Sequence, residues 1–165
     1  MTEDLISGPG EGDRADFPAL GNRFIIRGAQ TDGRFALLEH TIPPHALGAP
    51  VHTHTNEDEY SYVLTGRMGA QIGEEFFDAG PGELVVKPRG IPHAFWNAGD
   101  EETHLLELIS PGGFEQYFAD MAPLLNVEGE PDFAAIGEVQ ARYELSMDRE
   151  SIATLSERFG LGPPG

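Results

Sequence analysis

Two short segments of the chain carry the residue types that bind transition metals. The first holds His52, Thr53 and His54, followed by Glu59 and Gly66; the second runs from Gly82 through Pro88, Gly90 and His93 to Asn97. Read as two halves of one site, they supply three imidazoles and a carboxylate, a donor set suited to a divalent transition metal. Fe, Mn, Co, Ni, Cu and Zn all accept nitrogen and carboxylate oxygen, so the identity of the ion stays open at this stage. The chain has no cysteine, which excludes thiolate metal sites, a disulfide scaffold and cysteine nucleophiles.

Strands must position these groups. Alternate residues of a strand share a face, so His52 and His54 project into the same interior. The Thr-Asn-Glu-Asp stretch after them is rich in turn residues and reverses the chain. Glu59 then opens an apolar strand from which its carboxylate returns to the same cavity, and Gly66 stands where a hairpin needs a residue without Cβ. His93 arrives from a distant strand after the rigid turn at 87–92. Alternation puts Ser61 and Val63 on the face of Glu59, and Phe95 on the face of His93. These three define a largely apolar pocket, with Tyr60, Tyr62 and Trp96 pointing away. His40, His45 and His104 read as ordinary surface or core histidines, Glu57 and Asp58 as solvated turn residues, and Asn97 as a structural hydrogen-bonding residue.

Together, the two segments resemble the paired motifs of the cupin superfamily. The stretch from Leu37-Leu38-Glu39 to the Pro111-Gly112-Gly113-Phe114 run looks like the single-domain quercetin 2,3-dioxygenase-like cupins. The resemblance implies an all-β jelly-roll barrel with a metal held by His52, His54, Glu59 and His93. Ala46 stands where the family carries glycine, with Gly48 nearby, a departure expected to alter a turn and leave the ligands in place. By the same analogy the chain is an enzyme. A metal with open positions would bind a chelating enolate or hydroxy-ketone, dioxygen would add, and a ring or carbon–carbon bond would be cleaved. Glu59 would act as the general base, its pKa tuned upward by an apolar wall. The same ligands also suit a non-oxidative lyase, isomerase or cyclase, or a small-molecule binding protein without catalysis, because one fold hosts many reactions.

Composition agrees with one domain. The chain has 165 residues and a formal net charge of −18, with a pI near 4.4. A surface so acidic repels phosphate backbones and anionic membranes, leaving a small-molecule substrate and dioxygen as the expected partners. No apolar run approaches the ~20 residues of a membrane span. No basic-then-apolar leader opens the chain, and a cytoplasmic location is expected.

Residues 1–16, rich in Gly, Glu and Asp, read as a flexible tail. Strand-like runs follow at 23–27, 34–42, 51–54, 59–64, 67–72, 83–87, 93–97 and 103–109, giving a barrel domain over 17–112. Over 113–165 the texture turns helical. Phe114, Phe118, Met121 and Leu125 form one stripe, a second helix spans 132–143, and a third follows Asp148 as N-cap. The aromatic stripe reads as core, and the helices as packed on the barrel, forming a lid or a dimer contact. A homodimer is expected from the family and from strand edges that invite pairing. The final Gly-Pro-Pro-Gly reads as a loose end.

Overall fold

Period-two patterning governs the strands. Along Ala36–Ile42 every second residue is buried, and Thr103–Ser110 follows the same rule, because successive side chains leave a strand on opposite faces. The computed structural model describes residues 6–162; the start of the expected tail and the closing Pro163-Pro164-Gly165 lie outside them. The strands are β1 (Gly21–Ile26), β2 (Ala36–Ile42), β3 (Ala46–His54), β4 (Asp58–Thr65), β5 (Met68–Ile72), β6 (Glu75–Ala79), β7 (Leu84–Lys87), β8 (His93–Asn97), β9 (Thr103–Ser110) and β10 (Leu145–Met147). Helices α1 (Gln116–Leu125), α2 (Phe133–Arg142) and α3 (Ser151–Phe159) follow or flank β10.

Two five-stranded antiparallel sheets result, ordered β1-β2-β9-β4-β7 and β10-β3-β8-β5-β6. Their inner faces meet in a shared core, with Leu38, Ile42, Val63, Leu105 and Ile109 from the first and Met68, Ala70 and Phe95 from the second. This arrangement fits a jelly roll. The expected closed barrel takes the form of two facing sheets: among the described residues no ladder joins one to the other, and packing across the core holds them together.

Two strands went unread in the sequence. β6 pairs with β5 across the Gly73 turn, and β10 pairs with β3, Leu145 opposite His54 and Met147 opposite His52. The expected tail also ends early. Arg14 bridges to Arg23, Ala15 is buried, and the Asn22 side chain donates to the Ala15 carbonyl at 2.9 Å. Its polar composition hid a segment tied down by backbone pairing.

The helices divide the work. α3 covers the outer face of the β3–β8 region, where Leu47, Ala94, Trp96, Leu155 and Leu161 form a second core. Trp96 stacks on Phe159 with ring centroids 4.3 Å apart. Trp96 therefore points away from the interior, as expected, yet is buried, and β8 is covered on both faces. α1 and α2 close the opposite side. Asp132 caps α2 by accepting from the backbone N–H groups of Ala134 and Ala135, both at 3.0 Å, which satisfies two donors that a helix start leaves free. The N-cap of α3 is Glu150, not the expected Asp148, which lies two residues earlier and accepts from the Glu150 N–H. Among the described residues no helix is long and apolar enough to cross a membrane.

Candidate metal centre and cavity

The His-x-His pair lies on β3, Glu59 near the start of β4 and His93 at the start of β8, so both sheets contribute. One donor atom from each of the four residues lies within 4.8 Å of all the others, and all four residues are buried. Backbone carbonyls orient two of the rings. His52 Nδ1 faces the Pro50 carbonyl at 2.7 Å and His93 Nδ1 faces that of Ile91 at 3.0 Å. Such contacts fix Nδ1 as the protonated nitrogen and leave Nε2 free to bind a metal. His54 is the telling case. Both its nitrogens are buried without a hydrogen-bond partner; Nδ1 lies 3.4 Å from Glu57 and Nε2 3.5 Å from Glu59. Glu57 is thus a buried residue behind the histidine, correcting its reading as a solvated turn residue. Asp58 does turn outward, to pair with Arg89 at 2.7 Å.

Electrostatics favour the metal-binding forms. Burial, reinforced by the neighbouring His93 and His54, pushes His52 well below the ordinary imidazole value. Burial lowers His93 as well, against the pull of Glu59. Both are neutral at pH 7, as ligation requires. Glu59 departs from expectation. Burial works to raise its pKa, but Lys87, then His54 and His93, outweigh it and hold the carboxyl well below its usual range. The Lys87 ammonium, itself fully buried, sits 3.0 Å from Glu59 Oε2 and 2.8 Å from Glu107 Oε1. Glu107 shares that cation but is pushed upward, chiefly by burial. Of the two carboxyls, Glu107 and not Glu59 is the one that burial tunes upward.

A cavity of about 220 Å³ opens onto His52, His54 and Glu59. Its walls are mostly apolar and include Phe95, Phe114, Phe118, Met121, Ile136 and Leu145. Phe95 falls where alternation put it. Ser61 and Val63 do not line the cavity: both face inward and are fully buried, but each step of two along β4 carries the chain ~7 Å further from Glu59. Ser61 instead donates to Glu107, and Val63 packs in the core. The aromatic stripe at the start of the C-terminal region belongs to the core and also forms one wall of the cavity. His40 and Lys87 line the cavity too. Sequence reading took His40 as an ordinary surface or core histidine and did not single out Lys87, although the alternation of β2 and β7 placed both inward.

Asn97 behaves as expected. Its amide donates to the carbonyls of Ile42, Pro43 and Glu101 and accepts from the Gly99 N–H. Ala46 sits in regular pairing opposite Asn97, and the left-handed position of the preceding turn falls on His45, with φ 53°.

Comparison with known proteins agrees with this geometry. Residues 38–109 match the Cupin_2 family, described as a cupin domain. The chain is 33% identical over 103 residues to a quercetin 2,3-dioxygenase of Aspergillus japonicus, covering 58% of the chain and 29% of that protein. It is 32% identical over 60 residues to polyketide synthase CurC of Streptomyces cyaneus, covering 36% of the chain and 39% of that protein. The chain therefore spans well under half the length of either relative. Among solved structures, a predicted oxalate decarboxylase from Thermotoga maritima superposes with a TM-score of 0.60 at 15% identity, over 65% of this chain and 99% of that one. With its two-sheet fold and its clustered histidines and glutamate, the chain carries a cupin domain over residues 38–109.

Proposed function

We propose that the protein is a metal-dependent dioxygenase of a small enolisable or aromatic substrate. The observation that carries this reading is an apolar, aromatic-walled cavity that opens onto His52, His54 and Glu59, three of the four clustered donors. The likeness to a quercetin 2,3-dioxygenase supports it. His52, His54, Glu59 and His93 would hold the ion, and the donor set fits: His54 Nε2 is buried with no partner among four converging donors. When bound, the metal would polarise a coordinated enol or hydroxy-ketone oxygen, acidify its proton and offer positions open to dioxygen.

The chain's own residues do the rest. Glu59, ionised beside Lys87, accepts the substrate's hydroxyl proton at a carboxylate oxygen. The proton it takes is one that coordination of the hydroxyl oxygen would acidify, as in an enol or phenol. Lys87 holds the carboxylate in place and offsets its charge. Phe114, Phe118 and Met121 exclude water from the reacting end.

Oxygen uptake tests the reading. Metal-stripped protein is reloaded separately with Fe(II), Mn(II), Co(II) and Ni(II) and assayed against flavonols and β-diketones. The expected result is uptake with at least one metal, lost in Glu59→Ala. Metal-loaded protein that converts an enolisable substrate without consuming oxygen would contradict it. That outcome would favour the second reading, a non-oxidative cyclase or lyase, which the likeness to polyketide synthase CurC supports.

A further inference from the structure

The polar groups that line the cavity are nearly all committed. His52, His54 and Glu59 belong to the candidate metal centre. Lys87 is held between two carboxylates, Gln140 donates to the Met147 sulfur at 3.4 Å, and the Arg149 guanidinium lies over the Phe133 ring at 4.7 Å. His40 is not committed in this way. Its ring lines the cavity and is 2% exposed, yet its Nδ1 has no hydrogen-bond partner. Phe95 stacks on the ring with an interplanar angle of 21°, and Phe118 meets it edge-on at 5.3 Å. Two aromatic walls thus fix the imidazole while one nitrogen is left unanswered, an arrangement that is costly unless something supplies the missing bond.

The proton state decides what that something is. Burial first, then the charge of Lys87, brings the His40 pKa down to about 4, so the ring is neutral at pH 7. A neutral imidazole has one N–H and one bare nitrogen. The Gly21 backbone favours a proton on the ring; Nδ1, the nitrogen without a partner, would serve as the acceptor when the ring's one N–H sits on Nε2.

We propose that His40 is a second recognition point of the cavity, where Nδ1 accepts a hydrogen bond from a hydroxyl group of the substrate. The ligand class is then a hydroxylated aromatic compound, with a chelating oxygen toward Glu59 and the histidines and a further O–H toward His40. This rests on reading the cavity as the substrate site. His40 acts here as a positioning residue: it sets orientation and discrimination and leaves the reacting atoms to others.

The test is an anaerobic binding titration on the full chain loaded with Co(II), using 3-hydroxyflavone, which carries the chelating oxygens alone, and quercetin, which adds ring hydroxyls. The wild type is expected to bind quercetin about tenfold more tightly, the worth of one buried hydrogen bond. His40→Phe, which keeps an aromatic ring between Phe95 and Phe118, should erase that preference and leave 3-hydroxyflavone binding unchanged. His40→Asn, whose Oδ1 is an acceptor close to the position of Nδ1, should restore part of it. A preference that persists in His40→Phe, or is absent from the wild type, would overturn the proposal while leaving the cavity as a chelator site. If neither flavonol binds the Co(II)-loaded wild type, the substrate reading itself falls and takes the inference with it. Should His40→Phe fail to fold, quercetin methylated on its ring hydroxyls replaces it as the probe of the wild type. It should bind no better than 3-hydroxyflavone, and affinity equal to that of quercetin would sink the idea.

Discussion

Lys87 is the residue on which the interior balance turns. A fully buried ammonium between Glu59 and Glu107 persists because each charge compensates another; removing the cation strands two carboxylates in the core. Lys87→Met should therefore destabilise the protein by about 3–5 kcal/mol in denaturant unfolding, and adding Glu107→Gln should recover part of the loss. A single variant as stable as wild type would show that the triad carries no such role. This group was hard to read in advance for a physical reason. Lysine and glutamate are almost never fully buried unless paired, and the pairing partners come from β4, β7 and β9, separated in sequence and adjacent only in the sheet. The clustering of His52, His54 and Glu59 was legible because their spacing is local, two histidines two residues apart on one strand and a glutamate at the next turn; His93 was legible from the second segment. The same alternation that placed Phe95 correctly over-extended the pocket to Ser61 and Val63, since parity gives the face and says nothing of depth.

Among the elements, β3 bears the closest tolerance. It carries both His52 and His54, and its register against β8 shifts between Leu47 and Ala49 and again between Ala49 and His52. At Gly48, between those histidines and the strand's start, an added Cβ would lie 2.4 Å from Phe95 Cε2. Gly48→Ala should push the Phe95 ring into the cavity and cost about 1–3 kcal/mol, as overpacking does. Ligand affinity should fall while metal content stays at the wild-type level, as read by calorimetric titration and elemental analysis. Unchanged ligand affinity would show that Phe95 does not shape the site. Most strands announce themselves by alternation and turn residues. β6 and β10 do not: the first four of the five residues of Glu75–Ala79, Glu, Phe, Phe and Asp, are exposed without a break, and Leu145–Met147 is too short for any pattern. Tertiary pairing with β5 and β3 makes them strands.

The molecule as a whole stores three buried imidazoles in their neutral form, and this sets its pH response. His40, with a folded pKa of about 4, and His52 and His93, also depressed, each bind a proton more readily when unfolded. Their contribution is fully present above about pH 6.5 and is lost as pH falls through the folded values. Metal-free protein should lose stability steadily from pH 6.5 toward pH 4. His40→Phe should flatten that loss by up to about 3 kcal/mol, the span of its shift. Parallel curves for the two proteins would contradict the buried, neutral assignment. The candidate metal site is likewise a property of the whole fold, because β3, β4 and β8 meet there from two sheets. Elemental analysis of purified chains after metal loading tests that assembly most directly. One ion per chain is predicted for the wild type and for His45→Ala, whose ring faces Asp100 at the surface, with near-complete loss in His93→Ala. Stoichiometric metal retained by His93→Ala would contradict the account.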